Sequence, residues 1–173
     1  MVKRAVGVVC LLGLVWFGGP VLAGVPRGVV REHFGRGDWR LDVARDRFSG
    51  SVACRLRGRG GRQVYRAGAV GFAVGARDAA GAAYRIDDGD VVAAREDVPL
   101  LIAQHVPLDR GGMDDPAGGF VWIPFDKLDR ASRVAIEPRP GARPRVVRLA
   151  GLVALHDLAV TRGCAPDGVF VEQ

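Results

Sequence analysis

The segment WRLDVARDRFSGSVACRL, from Trp39 to Leu56, decides the fold class. On both sides of the turn-forming stretch Asp46 to Gly50, apolar side chains alternate with polar ones. A period of two is typical of a strand with one buried face, and two such runs around a turn predict a β-hairpin. The core-facing side of this hairpin then carries six apolar residues: Trp39, Leu41, Val43, Val52, Cys54 and Leu56.

Short strand patterns continue along the chain and are separated by turn residues. The run from Val70 to Val74 has only Ala and Gly on its second face, which would let another layer approach closely. Pro99 places the apolar run from Val98 to Val106 at a strand start or a sheet edge. The run from Phe120 to Ile123 is apolar on both faces, as in a central strand. The remaining strand patterns are Tyr84 to Ile86, Val134 to Ile136 and Arg145 to Leu149.

Two segments depart from the strand pattern. Residues 24–37 are rich in Gly and Arg without clear periodicity, so we predict an irregular N-terminal segment there. Gly151 to Arg162 has helical spacing. Its apolar stripe consists of Leu152, Leu155, Leu158 and Ala159. We therefore predict one mainly β domain over residues 38–173, an antiparallel β-sandwich or flattened barrel with one C-terminal helix packed on it.

The first 23 residues have the features of a secretory signal peptide. Lys3 and Arg4 supply the positive charge, and Ala5 to Phe17 is apolar. The small residue Ala23 fits cleavage before Gly24. The apolar stretch is short for a membrane span, so we predict a periplasmic or secreted protein that meets the membrane only through residues 1–23 before cleavage. An uncleaved N-terminal anchor is the alternative.

Composition argues against a largely disordered chain and against a nucleic-acid partner. Hydrophobic residues make up 49% of the chain and charged residues 25%, which is globular and argues against a largely disordered chain. Cleavage would lower the formal net charge from +6 to +4 and leave Lys127 as the one lysine. An arginine bias with abundant Gly and Ala is typical of a GC-rich bacterial genome. The basic charge is therefore poor support for nucleic-acid binding, and we predict no nucleic-acid partner.

Cysteine usage predicts a disulfide. Cys10 lies in the predicted signal peptide, so the exported chain would keep Cys54 and Cys164. An even pair in an oxidising compartment favours one disulfide. Cys54 lies on a strand pattern and Cys164 follows the helix, so the bond would tie the last element to the sheet. A pair of free thiols is the alternative.

Residues that could support catalysis are few. Ser49, Ser51, Ser132 and Thr161 are the only hydroxyl residues apart from tyrosine, and no Gly-x-Ser-x-Gly motif exists. His156-Asp157, on the predicted helix, could form an oriented base, although a helix-surface pair is the more common arrangement. We predict a protein that is not an enzyme, and a hydrolase using His156-Asp157 or the Asp114-Asp115 loop is the rival hypothesis.

No metal or cofactor is expected either. The three histidines lack metal-ligand spacing, and His105 fits a half-buried strand residue. Two acidic turns could offer calcium ligands but lack the spacing of a standard calcium loop, so solvated turns are the preferred interpretation. These turns contain Asp87, Asp88 and Asp90, and Asp109, Asp114 and Asp115.

Arginines crowd the hairpin that follows Cys54. Their planar forks suit phosphate and carboxylate groups, and the neighbouring glycines would let backbone N–H groups join in. A solvated edge strand also favours charge, which is the alternative. The possible anion-binding residues are Arg55, Arg57, Arg59, Arg62 and Arg66.

Two short motifs resemble those of the invasion-associated locus B family of exported bacterial proteins. Gly37-Asp38-Trp39 followed by a cysteine-containing strand resembles the start of that domain, and Val147 to Leu155 is similar to its strand-then-helix close. The resemblance implies an exported β-rich domain without catalytic residues that acts at the cell envelope or in host contact. We therefore expect a non-enzymatic domain that contacts an unknown protein or envelope component. The alternative is a small exported inhibitor or anionic-ligand-binding module that uses the Arg-rich hairpin.

Overall fold

The computed structural model describes residues 28–74, 81–106, 108 and 119–164. The predicted signal peptide and the acidic residues Asp109, Asp114 and Asp115 therefore lie outside the described residues. Two helices are α1 (Val98–Ala103) and α2 (Leu152–Thr161). The strands, in chain order, are β1 (Val29–Arg36), β2 (Trp39–Asp46), β3 (Val52–Gly58), β4 (Gln63–Arg66), β5 (Ala69–Ala73), β6 (Ala83–Ile86), β7 (Val91–Ala93), β8 (Phe120–Pro124), β9 (Arg133–Glu137) and β10 (Arg145–Arg148).

The strands form two antiparallel sheets that are not closed into a barrel. The larger sheet has the order β1-β2-β3-β4-β5-β8 and the smaller one β10-β9-β6-β7. The prediction of a mainly β antiparallel fold with a C-terminal helix packed on the sheets is confirmed. None of the helices that the structure describes is both long and apolar enough to cross a membrane.

The β2–β3 hairpin has the predicted buried face. Leu41 lies opposite Leu56, and Val43 lies opposite Cys54. All four side chains are buried, together with Trp39, which is fully inaccessible to solvent. Residues of the second sheet, including Ile136, complete the same core. The alternation seen in the sequence therefore separates a core face from an outer face on these strands.

Helix α2 closes the core with the predicted apolar stripe. Leu152, Leu155 and Ala159 are buried, and Leu158 is partly buried against the same cluster. The helix begins after Gly151, whose φ of +96° favours glycine, and a Cβ at this position would collide with the Arg36 carbonyl group. This close approach fixes the start of α2 against the end of β1.

A disulfide joins Cys54 on β3 to Cys164, just after α2. Their Cα atoms are 5.8 Å apart, and both residues are buried. Gly163 has a φ of +83°, which lets the chain leave the helix and turn back toward the sheet. The disulfide thus holds the end of α2 against the larger sheet, as the sequence predicts.

The prediction of a strand for Val98 to Val106 is wrong. Residues 98–103 form α1, and Pro99 lies in its first turn, where the missing N–H group leaves no helical hydrogen bond unmade. Leu101 is buried, whereas Ile102 is 62% exposed. His105 is exposed in the turn after α1 with a φ of +58°, so it is not a half-buried strand residue.

Two further expectations about strands are corrected. Residues 29–36, predicted as part of an irregular segment, form β1, which pairs with β2 along its whole length. Its half-exposed edge position explains the weak periodicity. Strand β8 lies at the end of the larger sheet, not at its centre. Both its faces are apolar because Val121 and Ile123 enter the main core while Trp122 packs with Leu101 beneath α1.

Candidate binding surface on the larger sheet

The outer face of β1, β2 and β3 carries a group of charged residues. In the antiparallel register, His33 lies opposite Asp42, which lies opposite Arg55. Arg40 lies opposite Arg57 on the same face. Residues that alternate with buried ones must point away from the core. We call this surface the outer basic face; it comprises Arg31, His33, Arg40, Asp42, Arg55 and Arg57.

Asp42 is the acidic centre of the outer basic face. Its Oδ1 accepts from His33 Nδ1 at 2.7 Å, and its Oδ2 lies 3.1 Å from Arg57 Nη2. One carboxylate faces four arginines, so the outer basic face has a formal charge of +3 with His33 neutral. Exposed ion pairs add little to stability. The main consequence of this arrangement is therefore a positive potential over an open sheet surface.

The five arginines of the predicted hairpin cluster lie on β3, on β4 and in the turn between them. Arg55 and Arg57 lie on the outer basic face, whereas Arg59 and Arg62 are exposed in the turn between β3 and β4. Arg66 ends β4 opposite Ala69 of β5. Val64 on β4 lies opposite Arg57, so Arg66, two residues further along β4, lies on the same face of the sheet as Arg57.

Arg31 and Arg40 join this surface although the sequence analysis did not select them. Arg40 has the alternating position of a solvent-facing residue on β2, which was visible in the sequence. Its neighbourhood depends on the pairing of β1 with β2 and of β2 with β3. Alternation alone does not determine which residues of separate strands lie opposite each other. The sequence therefore did not predict that these arginines share one face.

An apolar cluster covers the other half of the outer sheet face. Leu101 of α1 packs with Trp122 and Val106 over β5 and β8. Gly71 on β5 makes room for this layer, because a Cβ there would lie 2.8 Å from the Trp122 ring. The face of β5 that carries only Ala and Gly therefore accommodates a second layer of side chains, as predicted. Helix α1 thus covers the β5–β8 side and leaves the β1–β3 side open to solvent.

His156 is a packing residue. Its ring stacks on Phe125 with centroids 4.1 Å apart, and the Tyr65 hydroxyl lies 3.2 Å from its Nε2. The Asp157 carboxylate is 3.5 Å from Nδ1, which is too long for a hydrogen bond, and its side chain is 72% exposed. Asp157 does not orient the ring as a catalytic carboxylate would. The other half of the hydrolase hypothesis, Asp114-Asp115, lies outside the described residues.

The acidic turn at Asp87 connects two strands of the smaller sheet. Asp87 accepts hydrogen bonds from Ser132 N and Oγ and from Arg133 N, while Asp88 pairs with the Arg133 guanidinium. The hydrogen bond from the Ser132 hydroxyl is the largest influence that lowers the pKa of Asp87, and the bonds from the backbone N–H groups lower it further.

Across the ranges that the structure describes, no group of three or more His, Cys, Asp or Glu residues is arranged to hold a metal ion.

A buried polar network links the smaller sheet to the turn after β8. Asp97 is 4% exposed, and it accepts from the Tyr84 hydroxyl and from Lys127 Nζ, both at 2.6 Å. Burial is the main cause that raises the pKa of Tyr84 to about 12, and the hydrogen bond to Asp97 acts in the same direction. Burial alone would lower the pKa of Lys127, but its bonds to Asp97 and Tyr84 raise it overall.

This network was not predicted, although the sequence carries one signal for it. Lys127 is the only lysine outside the predicted signal peptide, in a chain that otherwise uses arginine. An ammonium group is a compact point charge, whereas a guanidinium is wider and planar. The Lys127 Nζ atom lies 2.6 Å from Asp97 Oδ1 and 3.2 Å from the Tyr84 hydroxyl.

Comparison of the chain with protein-family models, curated proteins and solved structures finds no match. The resemblance to the invasion-associated locus B family therefore stays a prediction.

Proposed function

We propose that this protein is an exported, non-enzymatic β-rich domain that contacts an anionic protein or cell-envelope component through the outer basic face. The observation that carries the proposal is an uncovered sheet face with four arginines and a histidine around one carboxylate. Arginine forks bind phosphate, sulfate and carboxylate groups through paired hydrogen bonds. An open surface of this kind is accessible to an anionic partner.

The register places two like charges next to each other on this face. Arg40 and Arg57 lie directly opposite each other, and like charges at such positions destabilise an antiparallel pair. The contact between Asp42 Oδ2 and Arg57 Nη2, at 3.1 Å, offsets part of this repulsion. An anionic partner would relieve the repulsion that remains, which favours binding.

The interpretation of the protein as non-enzymatic rests on how the candidate catalytic groups are used. The His156 ring is packed between aromatic side chains, and the Asp87 carboxylate is occupied by Ser132 and Arg133. Asp97 is buried in its bonds to Tyr84 and Lys127. These groups pack in the core or join strands and turns through hydrogen bonds. Their use in the fold supports a protein that acts by binding a partner and not by catalysis.

Export is proposed from the signal-peptide pattern and from the disulfide, since disulfides persist mainly in oxidising compartments. We expect the exported protein to begin at Gly24, because Ala23 is small enough for a signal peptidase. Intact-mass measurement of the protein recovered outside the cytoplasm checks this. A mature chain that retains Lys3 would contradict cleavage and the export route with it.

Neutralising the outer basic face is expected to weaken binding to anionic matrices. The triple variant Arg31→Gln, Arg40→Gln, Arg55→Gln should bind sulfated and phosphorylated matrices about tenfold more weakly, since exposed charge contacts contribute roughly 0.2–1 kcal/mol each. Low-salt buffer is required because exposed charges are screened beyond about 8 Å at physiological ionic strength. For the wild type and the variant, the dissociation constant is measured with a sulfated oligosaccharide and with a phosphopeptide.

A matched variant separates local charge from net charge. Arg95→Gln, Arg139→Gln, Arg143→Gln removes the same number of exposed arginines from other surfaces. This control should bind nearly as well as the wild type, and both variants should keep the wild-type melting temperature. Equal losses in the two triple variants would contradict the proposal, because binding would then follow total charge. Preference for the sulfated or the phosphorylated probe would indicate the class of envelope or protein group.

A further inference from the structure

Strand β1 forms a long, regular edge of the larger sheet. It pairs with β2 over all eight of its residues, without a bulge, and lies at the end of the strand order. Among residues 28–74, 81–106, 108 and 119–164, no strand pairs with its other side. The other end strands are shorter, with five residues in β8, three in β7 and four in β10. A long, regular edge exposes a row of backbone donors and acceptors that can pair with an added strand.

The register identifies which backbone groups of β1 face this edge. Antiparallel strands alternate between residue pairs that exchange two hydrogen bonds and pairs whose N–H and C=O groups point away from each other. The Arg47 N–H donates to the Gly28 carbonyl at 2.9 Å, so this pair just before β1 is hydrogen-bonded. The next pair, Val29 and Asp46, is not, because the Asp46 N–H donates to the Ser51 carbonyl instead. The backbone groups that point to the free edge therefore belong to alternate residues, which are Val29, Arg31, His33 and Gly35.

The two faces of β1 differ in chemistry. On the outer face of the sheet, Arg31 and His33 are exposed, and a Cβ at Gly35 would meet no atom within 4 Å. On the inner face, Phe34 packs against the main core, and the Arg162 guanidinium lies 5.0 Å from its ring. A strand added to this edge would meet basic side chains on its outer face and an aromatic ring on its inner face.

We propose that β1 binds an extended segment of another protein, in which acidic residues alternate with apolar ones, as an additional antiparallel strand. Acidic side chains opposite Arg31 and His33 form cross-strand pairs of opposite charge, and apolar side chains pack beside Phe34. Main-chain hydrogen bonds supply the affinity of such an added strand, and its alternating side chains supply the specificity. The proposal rests on the contact function proposed above and deepens it, because it assigns the class of partner.

A second copy of β1 fits this edge less well. Pairing about a two-fold axis at Glu32 places two glutamates opposite each other and Arg31 opposite His33. Pairing about an axis at His33 places two imidazoles opposite each other and Arg31 opposite Gly35, where it meets no opposite charge. Like charges directly opposite each other are destabilising. Charge complementarity therefore favours an acidic segment of another protein over self-association.

Backbone methylation of a peptide tests the geometry of strand addition. The probe is a fluorescent peptide of alternating Glu and Val, as long as β1, and its binding to the exported, disulfide-bonded protein is measured by anisotropy at low ionic strength. Its Glu residues lie opposite Arg31 and His33, so the register predicts that the Glu N–H groups donate to β1. N-methylation of the Glu residues should abolish binding, whereas N-methylation of the Val residues should leave it unchanged. A peptide of alternating Lys and Val should bind at least about tenfold more weakly.

Two variants at one position test the edge from the side of the protein. Gly35→Pro removes a donor that points away from β2, so no hydrogen bond between β1 and β2 is lost. We expect it to weaken binding of the Glu–Val peptide about tenfold. Gly35→Ala is the matched control, because it keeps the N–H and its Cβ enters open space, so it should bind as the wild type does. Both variants should bind the sulfated oligosaccharide as the wild type does, which distinguishes a failure at this edge from a failure of the outer basic face.

The proposal is overturned if the Glu–Val peptide does not bind, or if the two methylated peptides bind equally, because the contact would then not involve strand addition. Equal binding by Gly35→Pro and Gly35→Ala has the same meaning. A concentration-dependent dimer of the wild type that Gly35→Pro abolishes would show that a second copy occupies the edge, which contradicts the assigned partner. If Gly35→Pro does not fold, the methylated peptides decide the question on the wild type.

Discussion

Replacing Cys54 and Cys164 together with alanine is expected to lower the free energy of unfolding by about 2–5 kcal/mol. The disulfide spans 110 residues of sequence and connects β3 to the end of α2. A crosslink over such a long loop restricts the unfolded chain strongly, and the chain-entropy relation gives about 4.7 kcal/mol for a loop of that order. Urea unfolding of the oxidised wild type and the double variant measures the difference.

The reduced wild type is the natural control for this prediction. Reduction with dithiothreitol should bring its stability close to that of the double variant, because both lack the crosslink. Proteolysis should then begin near the end of α2, where Cys164 is no longer held to the sheet. Two titratable thiols in the unfolded, unreduced exported protein would contradict the disulfide and the docking of α2 that depends on it.

Asp97→Ala is expected to cost about 3 kcal/mol of unfolding free energy, which is the lower end for removal of one partner from a buried ion pair. The substitution leaves the buried Tyr84 hydroxyl and the Lys127 ammonium group without their acceptor. Lys127 has a side-chain exposure of 39%, so it regains some hydration and the cost stays below that of a fully buried charge. The control Asp90→Ala, at an exposed turn position, should change stability by less than about 0.5 kcal/mol.

The pH dependence of stability provides a second readout for this network. The pKa of Tyr84 is raised to about 12 in the folded protein, whereas an unfolded tyrosine titrates near 10. A folded pKa above the unfolded value gives stability that is complete below pH 10 and is lost between pH 10 and 12. Tyr84→Phe should flatten this loss. Absorbance titration of the wild type minus that of Tyr84→Phe isolates the Tyr84 transition. A Tyr84 transition near pH 10 in this difference would contradict the network.

Much of the fold could be predicted because alternation and burial agree locally. In the β2–β3 hairpin, each of the six core-facing residues from Trp39 to Leu56 has a polar neighbour, so the core face is unambiguous. The stripe of α2 is equally clear. Helix α1 was misassigned because a short apolar run fits either a buried strand or a helix, and Pro99 is acceptable at the start of both. Strand β1 was missed because its edge position leaves most of it partly exposed.

The candidate sites were harder to predict because they depend on long-range pairing. Arg55 was selected from its neighbours in sequence, but Arg31 and Arg40 join it only through the register of three strands. Sequence reasoning thus identified the chemistry of the arginines, whereas the surfaces they share follow from the topology.

The most direct test of the proposed contact surface is an NMR titration that observes the arginine side-chain Nε–H groups. A sulfated or phosphorylated oligosaccharide is added to the exported, disulfide-bonded protein at low ionic strength. We predict that the resonances of Arg31, Arg40 and Arg55 shift together with one dissociation constant, while Arg139 and Arg143 stay unchanged. Shifts of similar size at every exposed arginine, or shifts confined to arginines outside the outer basic face, would contradict the account.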